Sequence, residues 1–170
     1  MKDKSTRLYN LFFPIWLLFA HPLLIAAALP INFGIDLLVI FLALKSLGVE
    51  NKKPILKQVI WKSWGLGFAA DCIGAAILFV LSVLIPSFLP SNGGWDDVAN
   101  DLFLNPFRSV PALLIMLGII TLVGVLIYFF NREIYEKTDL TDKEQRRICL
   151  ALAIATAPYL FLLPTIWFVI

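Results

Sequence analysis

Five long apolar runs divide this chain of 170 residues, and Lys and Arg fall almost entirely in every second segment between them. Each run holds roughly 20 residues, the length of helix that crosses a hydrocarbon core of about 30 Å. Since 60% of the residues are apolar and only 15% are charged, little chain remains for a soluble domain. The sequence therefore predicts an all-α, polytopic membrane protein with a single domain over residues 1–170. The five predicted transmembrane helices cover about 8–29, 31–48, 62–85, 107–131 and 148–169.

The basic residues predict the orientation of these spans. Three lie at the N-terminus, five between Lys45 and Lys62, and five between Arg132 and Arg147, whereas Arg108 is alone on the other side. Cytoplasmic loops of membrane proteins carry such an excess of Lys and Arg. We therefore expect a cytoplasmic N-terminus and a C-terminus outside. The compact chain, this charge asymmetry and the lack of a glycosylation acceptor favour a bacterial cytoplasmic (inner) membrane.

Two loop segments have the spacing of short amphipathic helices. Over 54–64 the apolar residues share one face, while Lys57 and Lys62 fall on another. This pattern predicts an interfacial helix on the inner leaflet, which either anchors the loop or brings Lys53, Lys57 and Lys62 to the headgroups of anionic lipids. A second interfacial helix is predicted over 95–103, with an acidic face outside the membrane.

Prolines and one capping motif mark the predicted helix ends. Pro30 separates the first two runs by only a residue or two, which predicts a tight helical hairpin. Thr141 and Glu144 form a capping box, so the last helix is expected to begin at Thr141. Pro158 lies near the middle of the fifth run, where it removes one hydrogen bond and frees the carbonyl of Ile154. A kink is therefore predicted there.

Three ionisable side chains lie inside the predicted spans, each on a stripe of small or polar residues: His21, Asp36 and Asp71. An Asp at the centre of a spanning helix costs about 2.5–3.5 kcal/mol on insertion, so such residues either serve a function or join helices by hydrogen bonds. The hairpin at Pro30 would bring His21 beside Asp36 near the outside, as a proton-responsive pair. Asp71 would lie near mid-depth, where hydroxyl groups of the kinked fifth helix could bond to it. The predicted binding or proton-relay residues are His21, Asp36, Asp71, Thr156 and Tyr159.

Three classes of function remain open. The first is a small proton- or cation-linked channel or transporter. Because five spans are few for a complete carrier, this function would favour a homo-oligomer. The second is a non-catalytic membrane scaffold or regulatory subunit with a membrane-protein partner. The third is an intramembrane aspartyl-type enzyme, although the unequal depths expected for Asp36 and Asp71 argue against an enzyme. No motif for a cofactor, a metal or nucleic acid is present, so the expected partners are the bilayer and anionic lipids of its cytoplasmic side.

Overall fold

The computed structural model describes residues 22–88 and 94–164, and within these ranges the chain is helical and contains no strand. The prediction of an all-helical chain is confirmed. The elements in chain order are α1 (Pro22–Ser46), α2 (Lys52–Phe79), a π-helical turn (Val80–Leu84), α3 (Ile85–Phe88), α4 (Trp95–Leu104), a 3-10 turn (Pro106–Arg108), α5 (Val110–Tyr135), α6 (Asp142–Ala155) and a second 3-10 turn (Tyr159–Leu162).

Three helical segments in the described part are long and apolar enough to cross a membrane. Their length and composition indicate an integral membrane protein, as the sequence predicts. They correspond to the second, third and fourth predicted spans, so three of the five spans have a counterpart in the described residues. These segments are Leu29–Ser46, Lys52–Phe88 and Val110–Tyr135.

The predicted hairpin at Pro30 is wrong, because α1 runs without a break from Pro22 to Ser46 with Pro30 inside it. A proline within a helix removes one hydrogen bond, but its φ angle is that of a helix, so it does not by itself reverse the chain. The end of the first predicted span therefore belongs to the same helix as the second. The rest of that span, residues 8–21, lies outside the described residues.

The chain reverses instead at Gly48, two residues after α1 ends at Ser46. The amide of Val49 donates to the carbonyl of Leu44 at 3.2 Å, and the amide of Gly48 donates to that of Lys45 at 3.2 Å. Gly48 has a φ of +70°, which glycine adopts without steric cost. These features form a Schellman motif, and α2 then runs back along α1.

The segment predicted as a separate interfacial helix is part of α2. Residues 54–64 and the predicted span 62–85 form one helical segment that continues through the π turn to Phe88. No residue separates the two segments into different helices, since no proline or glycine occurs from 55 to 64. The second short helix is confirmed as α4, which covers Trp95–Leu104.

The fifth predicted span has its expected start but not its expected continuation. The capping box is confirmed, because the Thr141 amide donates to Glu144 Oε2 at 2.8 Å. However, α6 ends at Ala155, before Pro158 rather than kinking at it. Proline disfavours helical geometry in the residue that precedes it, and the chain passes into the 3-10 turn. Residues 165–170 lie outside the described part.

Four helices pack as a bundle in which α1 contacts α2 and α6, and α5 contacts the same two helices. Two glycines permit close helix contacts. A Cβ atom on Gly74 of α2 would lie 2.6 Å from Val123 Cγ2 on α5, and one on Gly124 of α5 would lie 3.2 Å from the Ala153 carbonyl oxygen on α6. Small residues commonly allow such approaches between membrane helices.

The α1–α2 loop and the α5–α6 loop lie at the same end of the bundle. Gln58 Nε2 donates to the carbonyl oxygen of Lys137 at 3.0 Å and joins these two regions. We call this the basic end, because ten of the eleven Lys and Arg residues in the described ranges belong to the segments 45–62 and 132–147. The remaining one, Arg108, lies at the opposite end beside α4, where Asp96, Asp97 and Asp101 are also found.

Candidate functional site

Two carboxyl groups are buried in the seam between α1 and α2. Asp36 on α1 and Asp71 on α2 are each only 6% exposed. Asp36 Oδ2 lies 3.8 Å from the position that a Cβ of Gly67 would take. Gly67 is one helical turn before Asp71 and therefore on the same face of α2. The two carboxyl groups consequently face one seam, and the absent side chain of Gly67 leaves room for Asp36.

Asp71 has unused hydrogen-bonding capacity. The side chain of Asn32, one turn before Asp36 on α1, faces the carboxyl group of Asp71. The Oδ1 atom of Asp71 is nevertheless buried without a hydrogen-bond partner among the described residues. In the described part of the chain, every ion pair involves Arg132 or Arg146, so neither Asp36 nor Asp71 has a described basic partner. Buried carboxyl groups are normally paired or hydrogen-bonded, so Asp71 can accept a further ligand.

The hydroxyl of Tyr135 extends this polar site toward the basic end. Tyr135 is the last residue of α5 and is fully buried. Its hydroxyl faces Ser63 on α2 and lies within electrostatic range of Asp36 on α1 and Cys149 on α6. Within residues 22–88 and 94–164, neither the Tyr135 nor the Ser63 hydroxyl makes a hydrogen bond of normal geometry. We use the name polar cluster for Asp36, Ser63, Asp71 and Tyr135.

Asp36 lies near the middle of the candidate span Leu29–Ser46, seven residues after Leu29 and ten before Ser46, whereas the predicted hairpin at Pro30 placed it near the outer end. Its Oδ2 atom lies against Gly67, and the Tyr135 hydroxyl at the end of α5 is within electrostatic range of it. The expected depth assumed a turn at Pro30, whereas the register between α1 and α2 is set by the turn at Gly48. Asp71 is eight residues beyond Ser63 on α2, or about 12 Å along the helix axis. The polar cluster therefore extends inward from the basic end.

His21 lies outside the described residues, so its pairing with Asp36 stays a prediction. The hairpin that suggested the pair is not formed. Asn32 and Asp36 of α1 lie within interaction range of Asp71 on α2, although the sequence predicted unequal depths for the two carboxyl groups. The stripes of small and polar residues on α1 and α2 therefore face each other.

Thr156 and Tyr159 are bonded to the end of α6 and not to Asp71. Thr156 Oγ1 donates to the carbonyl of Leu152 at 2.8 Å, and Tyr159 Oη donates to that of Ile154 at 2.7 Å. The carbonyl of Ile154 is the one that Pro158 cannot bond, because proline has no amide hydrogen. The Tyr159 hydroxyl thus supplies the missing donor.

An ion-paired arginine joins α5 to α6 beside the polar cluster. Arg132 donates to Gln145 Oε1 at 2.8 Å and also bonds to Asp142. The thiol of Cys149 is buried one turn further along α6 and forms no disulfide.

Sequence reasoning missed Ser63 and Tyr135 as members of the site. A signal for Ser63 was available, since Ser63, Gly67 and Asp71 are spaced by four and share a face of α2. Tyr135 carried no such signal, because an aromatic residue near the end of a span is ordinary at a membrane interface. Only the packing of α5 between α2 and α6 places its hydroxyl in the seam.

The predicted lipid contacts Lys53, Lys57 and Lys62 are all exposed on α2 near the basic end. Within residues 22–88 and 94–164, no group of three or more His, Cys, Asp or Glu side chains could hold a metal ion. Comparison of the chain with protein-family models, curated proteins and solved structures finds no match.

Proposed function

We propose that this chain is a membrane transport protein in which Asp36 and Asp71 take up and release a proton or a small cation. The supporting observation is the position of these two carboxyl groups, which are buried on facing helices of candidate spans. One oxygen of Asp71 has no hydrogen-bond partner in the part of the chain that the structure describes. Ionisable residues in this setting commonly mark ion or proton pathways.

The charge of the seam favours the binding of a cation. Two ionised carboxylates that face the same buried seam repel each other, and burial removes the water that would screen them. Binding of a proton or a cation relieves this repulsion, as it does in paired carboxylates elsewhere. The unpartnered Oδ1 of Asp71 is an acceptor for such a ligand.

The hydroxyl groups of Ser63 and Tyr135 provide a route from Asp36 toward the basic end. Both are buried and have no hydrogen-bond partner in the described ranges, so a bridging water could connect them to Asp36. In this scheme a proton passes between the basic end and Asp36, and then to Asp71. We further propose that the basic end faces the cytoplasm of a bacterial cell, in line with the excess of Lys and Arg.

Packing beyond Asp71 favours a gated carrier over an open pore. Gly74, three residues after Asp71, is in close contact with Val123 and Phe161. These side chains fill the bundle on the far side of the polar cluster. Passage across the whole membrane would therefore require a rearrangement of α2 against α5 or a second copy of the chain.

Proton flux into proteoliposomes tests this function. Purified protein is reconstituted with an internal pH-sensitive dye, and a potassium diffusion potential drives proton uptake. Asp71→Asn and Asp36→Asn should each lower the rate by about tenfold or more, because Asn cannot carry a proton in a relay. The matched control is Asp97→Asn, a removal of one carboxylate from the exposed surface of α4, which should leave the rate unchanged.

Absence of proton and cation flux in the wild-type protein would refute the proposal. So would wild-type rates in Asp71→Asn. Loss of a co-purifying membrane protein in Asp36→Asn, with the variant still folded, would instead favour the scaffold or regulatory subunit that the sequence leaves open.

A further inference from the structure

We infer that a groove between α2 and α5 at the basic end binds the headgroup of an anionic phospholipid. The groove opens between Lys62 on α2 and Lys137, which lies two residues beyond the end of α5. This inference does not depend on the proposed transport function. It assigns a particular site to the general expectation that basic loops touch anionic lipids.

A hydrogen bond between α2 and the segment after α5 holds the backbones of the two lysines near each other. Gln58, one turn before Lys62 on α2, donates its side-chain amide to the carbonyl oxygen of Lys137 at 3.0 Å. In the described part of the chain neither lysine belongs to an ion pair, and both are exposed. Glu133 is the one acidic residue that lines the groove, so the lining keeps a net positive charge.

The walls of the groove are apolar, which favours a lipid over a soluble anion. Leu66 on α2 and Ile134 on α5 line it, and Trp61 lies at its edge with 66% of its surface exposed. Tryptophan is typical of the headgroup level of a membrane. An anionic phospholipid matches this arrangement, because its phosphate can bind the lysines while its acyl chains lie along the spans below.

Gly65 forms the open part of the groove and allows a direct test. A Cβ atom on Gly65 would meet nothing within 4 Å. Gly65→Leu therefore places its Cβ in open space, and the rest of its side chain should occupy the groove that Gly65 lines. Leucine also favours the helix more than glycine does. This variant changes the shape of the groove without changing its charge.

Native mass spectrometry of the detergent-solubilised protein measures the binding. Phosphatidylglycerol and phosphatidylcholine are titrated separately, and the wild type should bind phosphatidylglycerol more tightly. Lys62→Gln with Lys137→Gln should weaken phosphatidylglycerol binding by about fivefold or more, given the usual contribution of a lysine near an anionic headgroup. The matched control, Lys45→Gln with Lys143→Gln, removes the same charge from exposed positions of the basic end outside the groove and should change the affinity by less than about twofold.

Two further variants give independent results. Gly65→Leu should weaken phosphatidylglycerol binding as the lysine pair does, and Glu133→Gln should strengthen it because a repulsive carboxylate is removed. Thermal unfolding in detergent verifies that each variant is folded. If the lysine double variant does not fold, Gly65→Leu and Glu133→Gln decide the outcome.

Three results would overturn the inference. These are equal affinity for phosphatidylglycerol and phosphatidylcholine, equal losses in the two lysine double variants, and wild-type binding in Gly65→Leu. Equal losses in the double variants would mean that the lipid responds only to the overall charge of the basic end.

Discussion

Replacement of Gly74 by alanine tests the close contact between α2 and α5 next to the polar cluster. The new Cβ would lie 2.6 Å from Val123 Cγ2 and 3.1 Å from Phe161 Cε2, whereas carbon atoms in contact are normally about 3.5–4.0 Å apart. Overpacking of this kind costs about 1–3 kcal/mol. Alanine offsets about 1 kcal/mol of that through its higher helix propensity. We therefore expect Gly74→Ala to lower the free energy of unfolding by about 0–2 kcal/mol.

The measurement is unfolding by sodium dodecyl sulphate in mixed micelles, followed by circular dichroism. Gly118→Ala on α5 is the matched control, since a Cβ there meets nothing within 4 Å, and it should raise the free energy of unfolding by up to about 1 kcal/mol. Val123→Ala removes the methyl group that obstructs the new Cβ, so the double variant should be more stable than the sum of the single effects by about 1 kcal/mol. If Gly74→Ala were as stable as Gly118→Ala, the helices would not approach each other as closely as described.

Two other predictions concern the junction between α5 and α6. Arg132→Met should lower the midpoint of thermal unfolding by several degrees, because α5 loses its charged bonds to α6. The control is Arg147→Met, which changes an exposed residue outside this network and should have little effect on the same midpoint. The bonds from Thr141 lower the pKa of Glu144 below its ordinary value of 4.5, so the capping box should contribute stability above about pH 4.5 and lose it as the pH falls through the lowered pKa. A pH series of unfolding midpoints should show this loss in the wild type and not in Glu144→Gln, and parallel curves would contradict it.

Much of the helical content follows from local sequence. When its backbone cannot bond to water, an apolar run long enough to cross a membrane forms a helix, because the helix satisfies its own amide and carbonyl groups. The third and fourth predicted spans correspond in this way to α2 and α5. The capping box at Thr141 and the short helix α4 were also predictable, because both depend on residues three or four apart. These features require no knowledge of what packs against them.

Prolines were harder to interpret from sequence alone. Pro30 lies inside α1, whereas α6 ends before Pro158. Both lack the same amide hydrogen. The difference depends on the surroundings: Tyr159 satisfies the carbonyl that Pro158 leaves free, and the turn that reverses the first helix forms at Gly48 instead. A rule based only on the residues next to a proline cannot distinguish a proline inside a helix from one that follows its end, because the rule takes no account of the turn at Gly48 or of the Tyr159 hydroxyl.

The sequence by itself determined that Asp36 and Asp71 lie within apolar helices, and that basic residues gather in alternate loops. Hydropathy and charge are properties of each segment, so no partner is needed to recognise them. Only the tertiary structure decided which groups meet. The turn at Gly48 sets the register of α1 against α2, which places Asp36 against Gly67 and within electrostatic range of Tyr135. Since contacts across a seam depend on register and not on composition, the polar cluster exists only once the helices are packed.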